Sequence, residues 1–458
     1  MFKKIILVSL LFLSIVQAAI VNTNKAQYNV GEAVVVNYSN MEGHAKDWIG
    51  IYPVGSSNAW ANVVAWKWSR GQVNGQKSFN NLPAGNYEVR VFFRNSYKVE
   101  ARDGFSVKQE IVKRERDVYL IQGQSNAFAF RGKELALNER VKSFGNASSS
   151  AKAVKRDLNW YTATGQAKAL GGFIGKWGMR MSSNITNSLN MPLVVLNGAV
   201  GGTPISEHLR DNANPQNLNT IYGRLLYRAK KANIANDARV LFWYQGERDG
   251  ALGTSIVTYK NRFKTLYNSW KTDYKNLEKT YMFQVRSGCG NPVRIMEAQR
   301  QIANEYDDVL IMSTTGTDTE VLADNCHYTD KGYKELANRM ERLVKDDLYG
   351  IAQIEAHPPK VTSIKFINNK RSVILKLNEA QNLHIVGNPK TDFVIENTNI
   401  KVTSINILNK TEIRLNFSKT LADNAKLTYF GHRGNSNSWI QNSNKLGLVT
   451  FYGMPINN

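Results

Sequence analysis

The residues best suited to chemistry lie in four short polar stretches, each near the end of an apolar run. These stretches cover residues 123–126, 197–203, 245–249 and 324–327. In this order they hold a serine, a glycine-rich turn, a glutamine with two carboxylates, and an aspartate three residues before a histidine. A hydroxyl, several neutral donors, a carboxylate and an imidazole together form the set of groups that acyl transfer requires.

Ser125 lies in the first stretch, after the apolar residues 118–121 and Gly123. An apolar run that ends in glycine and polar residues is typical of a buried parallel strand with a sharp turn at its end. Ligands bind at the carboxyl ends of the strands in open α/β sheets, so a serine there is well placed to act as a nucleophile. The alternative is that Ser125 only caps the next helix.

The other three stretches hold the groups that a nucleophilic serine would need. In the glycine-rich turn, backbone N–H groups can approach a ligand closely. The Gln245 amide is a neutral donor that could steady an oxyanion, while Glu247 and Asp249 could equally brace the loop. Asp324 is spaced to hold His327 in one tautomer, with the other imidazole nitrogen facing the serine.

Apolar strands alternate with helix-length amphipathic segments over residues 117–349, which predicts a doubly wound parallel α/β sheet. The catalytic loops should all leave this sheet at one edge. The predicted strands cover residues 118–121, 193–196, 240–244, 281–285 and 309–312. The predicted helices lie near residues 172–190, 217–234, 255–273, 291–305 and 330–347.

Short alternating strands on both sides of this region predict two β-sandwich domains. The first, of immunoglobulin-like type, covers residues 19–108 and is followed by a charged linker at 109–116. The second covers residues 360–458 after a proline-containing linker at 350–359. In the first sandwich, three tryptophans could bind sugar faces or could simply pack in the core or between domains. They are Trp60, Trp66 and Trp68.

Residues 1–18 are typical of a secretory signal peptide, with Lys3 and Lys4 before an apolar run and Val16 and Ala18 at a small-residue cleavage site. We therefore expect a periplasmic or secreted protein, without a membrane-spanning segment in the mature chain. The chain has 59 Lys and Arg against 37 Asp and Glu, a net charge of +22, of which +20 remains without the two leader lysines. That excess suggests an acidic partner, although a solvated basic surface gives the same composition. Export argues against a nucleic-acid partner.

Four ordered motifs carry a resemblance to a known family. Gly123-Gln-Ser-Asn126, Gly201-Gly-Thr203, Trp243-Tyr-Gln-Gly-Glu247 and Asp324-x-x-His327 resemble the SGNH-hydrolase superfamily, and more narrowly its sialate O-acetylesterase branch, which includes acetylxylan esterases. The expected fold is therefore a flavodoxin-like sheet, flanked here by the two β-sandwiches.

The resemblance implies a role for each matching residue. Ser125 would be the nucleophile, His327 the general base and acid, and Asp324 its orienting partner. The oxyanion hole would consist of the Ser125 N–H, the Gly201 N–H and the Gln245 side chain. Four residues would support the site: Asn126, Gly202 (which could replace Gly201), Glu247 and Asp249. The mechanism requires no metal and no other cofactor.

Cys289 and Cys326 are the only cysteines of the chain. Cys326 directly precedes His327, and Cys289 follows the strand that ends near Val285, so both are expected at the catalytic edge. In an exported protein this favours a disulfide that pins the loop of residues 324–327, called the histidine loop below. Two free thiols are the alternative.

The sequence thus predicts an exported carbohydrate O-acetylesterase whose partner is an O-acetylated glycan. The acetyl group could belong to a sialoglycan, to xylan, or to peptidoglycan or another envelope polysaccharide, and the basic balance slightly favours an acidic polymer. The alternative from another class is an inactive carbohydrate-binding envelope protein. The presence of Ser125, Asp324 and His327 argues against it.

Overall fold

The computed structural model describes residues 18–108, 115–130, 136–166, 171–317, 320–431 and 437–458. The predicted signal peptide, apart from its last residue, and most of the first predicted linker lie outside these ranges. The chain divides into two compact units. One comprises Met1–Val112 with Tyr349–Ala352, and the other Lys113–Leu348 with Gln353–Asn458.

The first unit consists of two β-sheets. Its strands are β1 (Ile20–Thr23), β2 (Gln27–Asn29), β3 (Val34–Ser39), β4 (Trp48–Pro53), β5 (Ala65–Trp68), β6 (Gly75–Phe79), β7 (Gly85–Phe92) and β8 (Val99–Lys108). One sheet has the order β1-β3-β6 and the other β2-β8-β7-β4-β5. The core forms where alternate apolar residues are buried, among them Val34 and Val36 of β3, Ile49 and Ile51 of β4, and Val89 of β7.

The α/β part of the second unit has one seven-stranded sheet. Its elements are β9 (Asp117–Gly123), α1 (Ser125–Phe128), β10 (Val141–Phe144), α2 (Ala151–Arg156), β11 (Trp160–Thr162), α3 (Lys176–Leu189), β12 (Leu193–Asn197), α4 (Ile221–Lys231), β13 (Ala238–Tyr244), α5 (Glu247–Ala251), α6 (Ile256–Asp273), β14 (Lys279–Phe283), α7 (Val293–Glu305), β15 (Val309–Met312) and α8 (Asp330–Asp347). The sheet order is β11-β10-β12-β9-β13-β14-β15, and every neighbouring pair is parallel except β10 with β11. This confirms the predicted fold class.

The position of β9 explains why the site forms where it does. β9 is buried along its whole length and lies between β12 and β13. Because the three strands are parallel, their carboxyl ends open at the same edge, and the loops after them carry Ser125, Gly201 and Gln245.

Three of the helices that cover the sheet begin at side-chain caps. Thr220 before α4, Ser255 before α6 and Thr329 before α8 each accept a hydrogen bond from a backbone N–H three residues on. Such caps satisfy N–H groups that a helix leaves free in its first turn. Among the described residues, no helix is both long and apolar enough to span a lipid bilayer.

The C-terminal residues of the second unit form three further sheets. Their strands are β16 (Val361–Ile367), β17 (Ser372–Leu377), β18 (His384–Val386), β19 (Phe393–Ile395), β20 (Val402–Asn409), β21 (Glu412–Phe417), β22 (Lys426–Tyr429), β23 (Trp439–Gln441) and β24 (Phe451–Pro455). They pair in the orders β16-β17-β21-β20, β19-β22-β24 and β18-β23.

Polar contacts join these sheets to the α/β sheet within the same unit. The Gln284 side chain, just after β14, donates to the Thr450 carbonyl and accepts from the Thr450 N–H, each across 3.0 Å. Arg339 of α8 donates to the Lys445 carbonyl at 2.8 Å. Residues beside the C-terminal strands therefore contact the loop after β14 and helix α8 directly.

Candidate active site

Ser125 is the first residue of α1, and the turn before it depends on glycine. Gly123 has φ +140°, and a Cβ there would lie 2.0 Å from the Tyr244 carbonyl oxygen. A side chain would therefore separate the ends of β9 and β13. The helix cap is Gln124, without a side-chain capping bond, so Ser125 does not cap α1. Ser125 is partly exposed, whereas Gln124 and Asn126 are buried.

Two backbone N–H groups adjoin the Ser125 side chain. A Cβ added to Gly201 would lie 3.6 Å from the Ser125 Cβ, which places the backbone of the glycine-rich turn beside the serine. Within the described part of the chain, neither the Ser125 N–H nor the Gly201 N–H has a hydrogen-bond acceptor. Both groups are therefore able to donate to a negatively charged oxygen. Gly202, with φ +75°, completes the turn.

Asp324 and His327 form a close pair. The His327 Nδ1 lies 2.8 Å from Asp324 Oδ2, and Asp324 Oδ1 accepts from the backbone N–H groups of Cys326 and His327 at 3.0 and 2.9 Å. Burial alone would raise the pKa of the Asp324 carboxyl, but the bonds from His327 and Cys326 outweigh burial and lower that pKa to about 2. Asp324 is thus a carboxylate that fixes the imidazole through Nδ1 and leaves Nε2 for a proton transfer.

Three contacts hold the histidine loop against the rest of the catalytic edge. Asn126 Nδ2 donates to the Cys326 carbonyl at 3.0 Å. The buried Arg286 donates to the Asn325 carbonyl. Cys326 is joined to Cys289 in a disulfide. The residue after Ser125 is therefore bonded directly to the residue before His327.

The side-chain amide of Gln245 is bonded to protein acceptors, whereas an oxyanion donor would leave a proton free for the substrate. Its side chain is fully buried, and Nε2 donates to Asp249 Oδ2 at 2.6 Å and to the Thr203 carbonyl at 3.1 Å, with Gln124 Oε1 at 3.3 Å. An amide nitrogen has two protons, and protein acceptors take both of them here. In this structure Gln245 joins the loops after β9, β12 and β13, and its amide is not presented to a bound oxyanion.

Asp249 is the second brace of these loops. It is fully buried, and its carboxylate accepts from the Gln245 amide, from the Ile205 N–H at 2.8 Å and from the Thr254 hydroxyl at 3.0 Å. A buried carboxylate with several donors holds its surroundings in one geometry. This is the loop-bracing alternative that the sequence left open.

Glu247 is linked to the histidine loop through the side chain of Asn126. Its Oε1 accepts from Asn126 Nδ2 at 2.9 Å, while its Oε2 is buried without a hydrogen-bond partner among the described residues. Burial raises the pKa of the Glu247 carboxyl, and the bond from Asn126 opposes that shift only in part. The Asn126 amide therefore bridges Glu247 and the Cys326 carbonyl.

Sequence reasoning missed two residues that support this arrangement. Gln124 Oε1 accepts from the Gly246 and Arg248 N–H groups at 3.3 and 3.2 Å, which caps the start of α5. The Tyr333 hydroxyl of α8 donates to Asn126 Oδ1 at 3.0 Å. Gln124 was visible as part of the first motif, but nothing in the sequence marks a tyrosine 207 residues from its partner.

The chain is similar to known proteins in the region that holds these site residues. A family model described as carbohydrate esterase, sialic acid-specific acetylesterase matches residues 115–346. The structure of XAC1771, a carbohydrate acetylesterase from Xanthomonas citri, is similar with a TM-score of 0.54 and 15% identity, over 93% of this chain and 96% of that one. An Arabidopsis thaliana protein, AT4G34215, has a TM-score of 0.41 and 19% identity over 51% of this chain and 98% of its own. No curated protein sequence matches the chain.

The fold and the family match together define the class as SGNH-type carbohydrate esterases, which are carboxylic ester hydrolases. Within that class, the chain belongs to the sialic acid-specific acetylesterase family of carbohydrate esterases. The protein is thus a carbohydrate acetylesterase, and its substrate is an acetylated glycan.

Proposed function

We propose that the protein is an exported O-acetylesterase that removes acetyl groups from an acidic glycan through an acyl-enzyme on Ser125. The observation that carries the mechanism is the Asp324–His327 pair, on a loop that Asn126 bonds to the nucleophile turn. Export is supported by the leader pattern of residues 1–18, and an acidic substrate by the net charge of +20 on the remaining chain. Sialoglycan and peptidoglycan both meet this description, and neutral xylan is the less favoured substrate.

The reaction proceeds in two halves. His327 Nε2 takes the Ser125 proton as Oγ attacks the acetyl carbonyl, and the carbonyl electron pair moves to the oxygen. The N–H groups of Ser125 and Gly201 hold this oxyanion, and each such donor typically contributes about 10²–10³ in rate. The oxyanion collapses to the acetyl-enzyme, and His327 gives its proton to the departing sugar oxygen.

Water completes the cycle by the same route. His327 removes a proton from the water as it attacks the acetyl-enzyme, and acetate leaves as the proton returns to Ser125 Oγ. Asp324 keeps the imidazole oriented through both halves and stabilises its cationic form.

The test is hydrolysis of 4-nitrophenyl acetate by the wild type, by Ser125→Ala and by a control, Ser78→Ala, in a half-buried strand of the first unit. The wild type and the control should be equally active, and Ser125→Ala should retain only background activity. An inert wild type, or a fully active Ser125→Ala, would refute the proposal.

The substrate is tested by acetate release from O-acetylated sialoglycan, peptidoglycan and xylan in parallel. The acidic polymers should be preferred, and a preference for xylan would overturn the charge argument.

Export is tested by sequencing the N-terminus of the protein that is secreted or released from the periplasm. Its first residue should be Ala19.

A further inference from the structure

The outer face of the five-stranded sheet in the first unit carries aromatic residues. In β4 the side chains alternate, so that Ile49 and Ile51 enter the sandwich core while Trp48 and Tyr52 lie on the other face. Phe92 of β7 joins them there, and Trp48 stacks on it with ring centroids 4.3 Å apart. A sandwich sheet usually has polar residues on its outward face, so this second apolar layer calls for an explanation.

Only the inner part of this layer is buried. Trp48, Tyr52 and Phe92 are buried, whereas Trp60 is 52% exposed and Trp66 39% exposed. The Trp60 and Trp66 rings lie 5.5 Å apart at 65°, and they form a corner. Burial of the inner rings stabilises the fold, whereas the exposed parts of Trp60 and Trp66 remain open to solvent.

A cationic end adjoins the aromatic corner. Trp66 is paired across the strands with Gly50, Gly50 with Arg90, and Arg90 with Arg102. Arg90 is buried and bonded to Glu88, Asn58 and Ser56. Arg102 is 68% exposed, and its nearest carboxylate oxygen, on Glu88 at 3.8 Å, is the one that Arg90 already binds. This series of cross-strand neighbours thus ends at Arg102, whose exposed guanidinium shares the Glu88 carboxylate with Arg90.

We propose that this outer face is a carbohydrate-binding surface for an acidic glycan. Pyranose rings pack their C–H faces against Trp60 and Trp66, and Arg102 pairs with a carboxylate further along the same chain. Three strand spacings separate Trp66 from Arg102, roughly 14 Å, so an oligosaccharide or polymer is needed to reach both. The choice of an acidic glycan rests on the proposed function, whereas the surface itself rests on the ring exposure and the charge.

The experiment uses the full chain with Ser125→Ala, so that no probe is hydrolysed. Binding to polygalacturonan and polysialic acid, with neutral arabinoxylan as comparison, is measured by calorimetry in 0.3 M NaCl, because the basic chain binds polyanions nonspecifically at low salt. Trp60→Ala and Trp66→Ala should each weaken acidic-glycan binding about tenfold, and Arg102→Gln should weaken it for the acidic probes only.

Two matched controls belong to the same unit. Val30→Ala removes an apolar side chain that is 45% exposed, at the position directly after β2. Arg94→Gln removes a guanidinium as exposed as that of Arg102 but paired with Glu42. Neither should change the affinity for any probe.

Three results would overturn the proposal. The affinity could be unchanged in the Trp60 and Trp66 variants, the two variants could lose thermal stability in step with affinity, or they could abolish self-association seen by sedimentation. The last two would make the rings packing residues or a contact between copies of the chain.

The same variants in the active background separate this proposal from the proposed function. Hydrolysis of 4-nitrophenyl acetate should be unaffected by Trp60→Ala and Trp66→Ala. An inert wild type that still binds glycan through the tryptophans would refute the esterase mechanism alone. An active enzyme whose glycan affinity is unchanged by the two tryptophan substitutions would refute the binding surface alone.

Discussion

The side chain of Asn126 and the backbone carbonyl of Cys326 are joined by a hydrogen bond of 3.0 Å. These two residues are the chain neighbours of Ser125 and His327, and they lie 200 positions apart. The bond therefore ties the segment that holds the proposed nucleophile to the loop that holds the proposed base. The same Asn126 amide also donates to Glu247 Oε1.

Asn126→Ala should reduce kcat for 4-nitrophenyl acetate about 10²-fold with little change in KM. The reason is that a displacement of the base by about 1 Å can cost that much. Asn126→Asp should be at least as damaging, because it places a carboxylate against Glu247 and the Cys326 carbonyl. Asn268→Ala, at an exposed position on α6, is the control. A wild-type kcat in Asn126→Ala would contradict the positioning role.

Gln245→Ala should lower stability and activity together. The substitution leaves the Thr203 carbonyl and one buried Asp249 oxygen short of a donor, which costs about 1–3 kcal/mol each in the free energy of unfolding. Gln245→Glu should be worse, since two carboxylates would then face each other. Urea unfolding and kcat are measured on the same samples. A loss of kcat at unchanged stability would instead restore Gln245 as an oxyanion donor.

The double variant Cys289→Ser, Cys326→Ser should lose about 4 kcal/mol in the free energy of unfolding, given a sequence separation of 37 residues between the two cysteines. Its kcat should also fall, because the histidine loop loses one of three anchors. Dithiothreitol should affect the wild type in the same way and leave the double variant unchanged. If the reductant affects both equally, the disulfide is not the cause.

Glu247→Gln should change how stability depends on pH. Burial raises the Glu247 pKa in the folded state, so this group favours folding below its unfolded pKa and loses that contribution as the pH rises through the folded value. The glutamine variant has no such loss. The Tm of the wild type relative to the variant should therefore be highest near pH 4 and decline towards pH 8. The exposed Glu207→Gln variant serves as control, and parallel Tm curves for wild type and Glu247→Gln would refute the expectation.

Much of the α/β sheet could be predicted from apolar patterning. The strand predicted at 309–312 and the helix predicted at 330–347 coincide with β15 and α8, and residues 118–121 lie within β9. The short strands β10 and β11 were missed because polar residues such as Lys142 interrupt the apolar pattern. They are also only four and three residues long, too short for periodicity to be distinguished from a loop.

The candidate site shows where sequence reasoning stops. Residue types and order were enough to name Ser125, Asp324 and His327 as candidates, because each chemical group has few substitutes. Gln245 illustrates the limit, since an amide can donate to a substrate or to its own protein, and only the positions of Asp249 and Thr203 decide between them. No spacing rule reports how many acceptors surround a buried donor.

The reciprocal pair between Gln284 and Thr450 has a consequence for how the protein is made. The two residues lie 166 positions apart, a distance that a ribosome covers in roughly 10–30 s. Throughout that interval Gln284, directly after β14, lacks its native hydrogen-bond partner. We therefore expect the second unit to complete folding only after Thr450 has been synthesised and has left the ribosome, and the nascent chain to depend on holding factors until then.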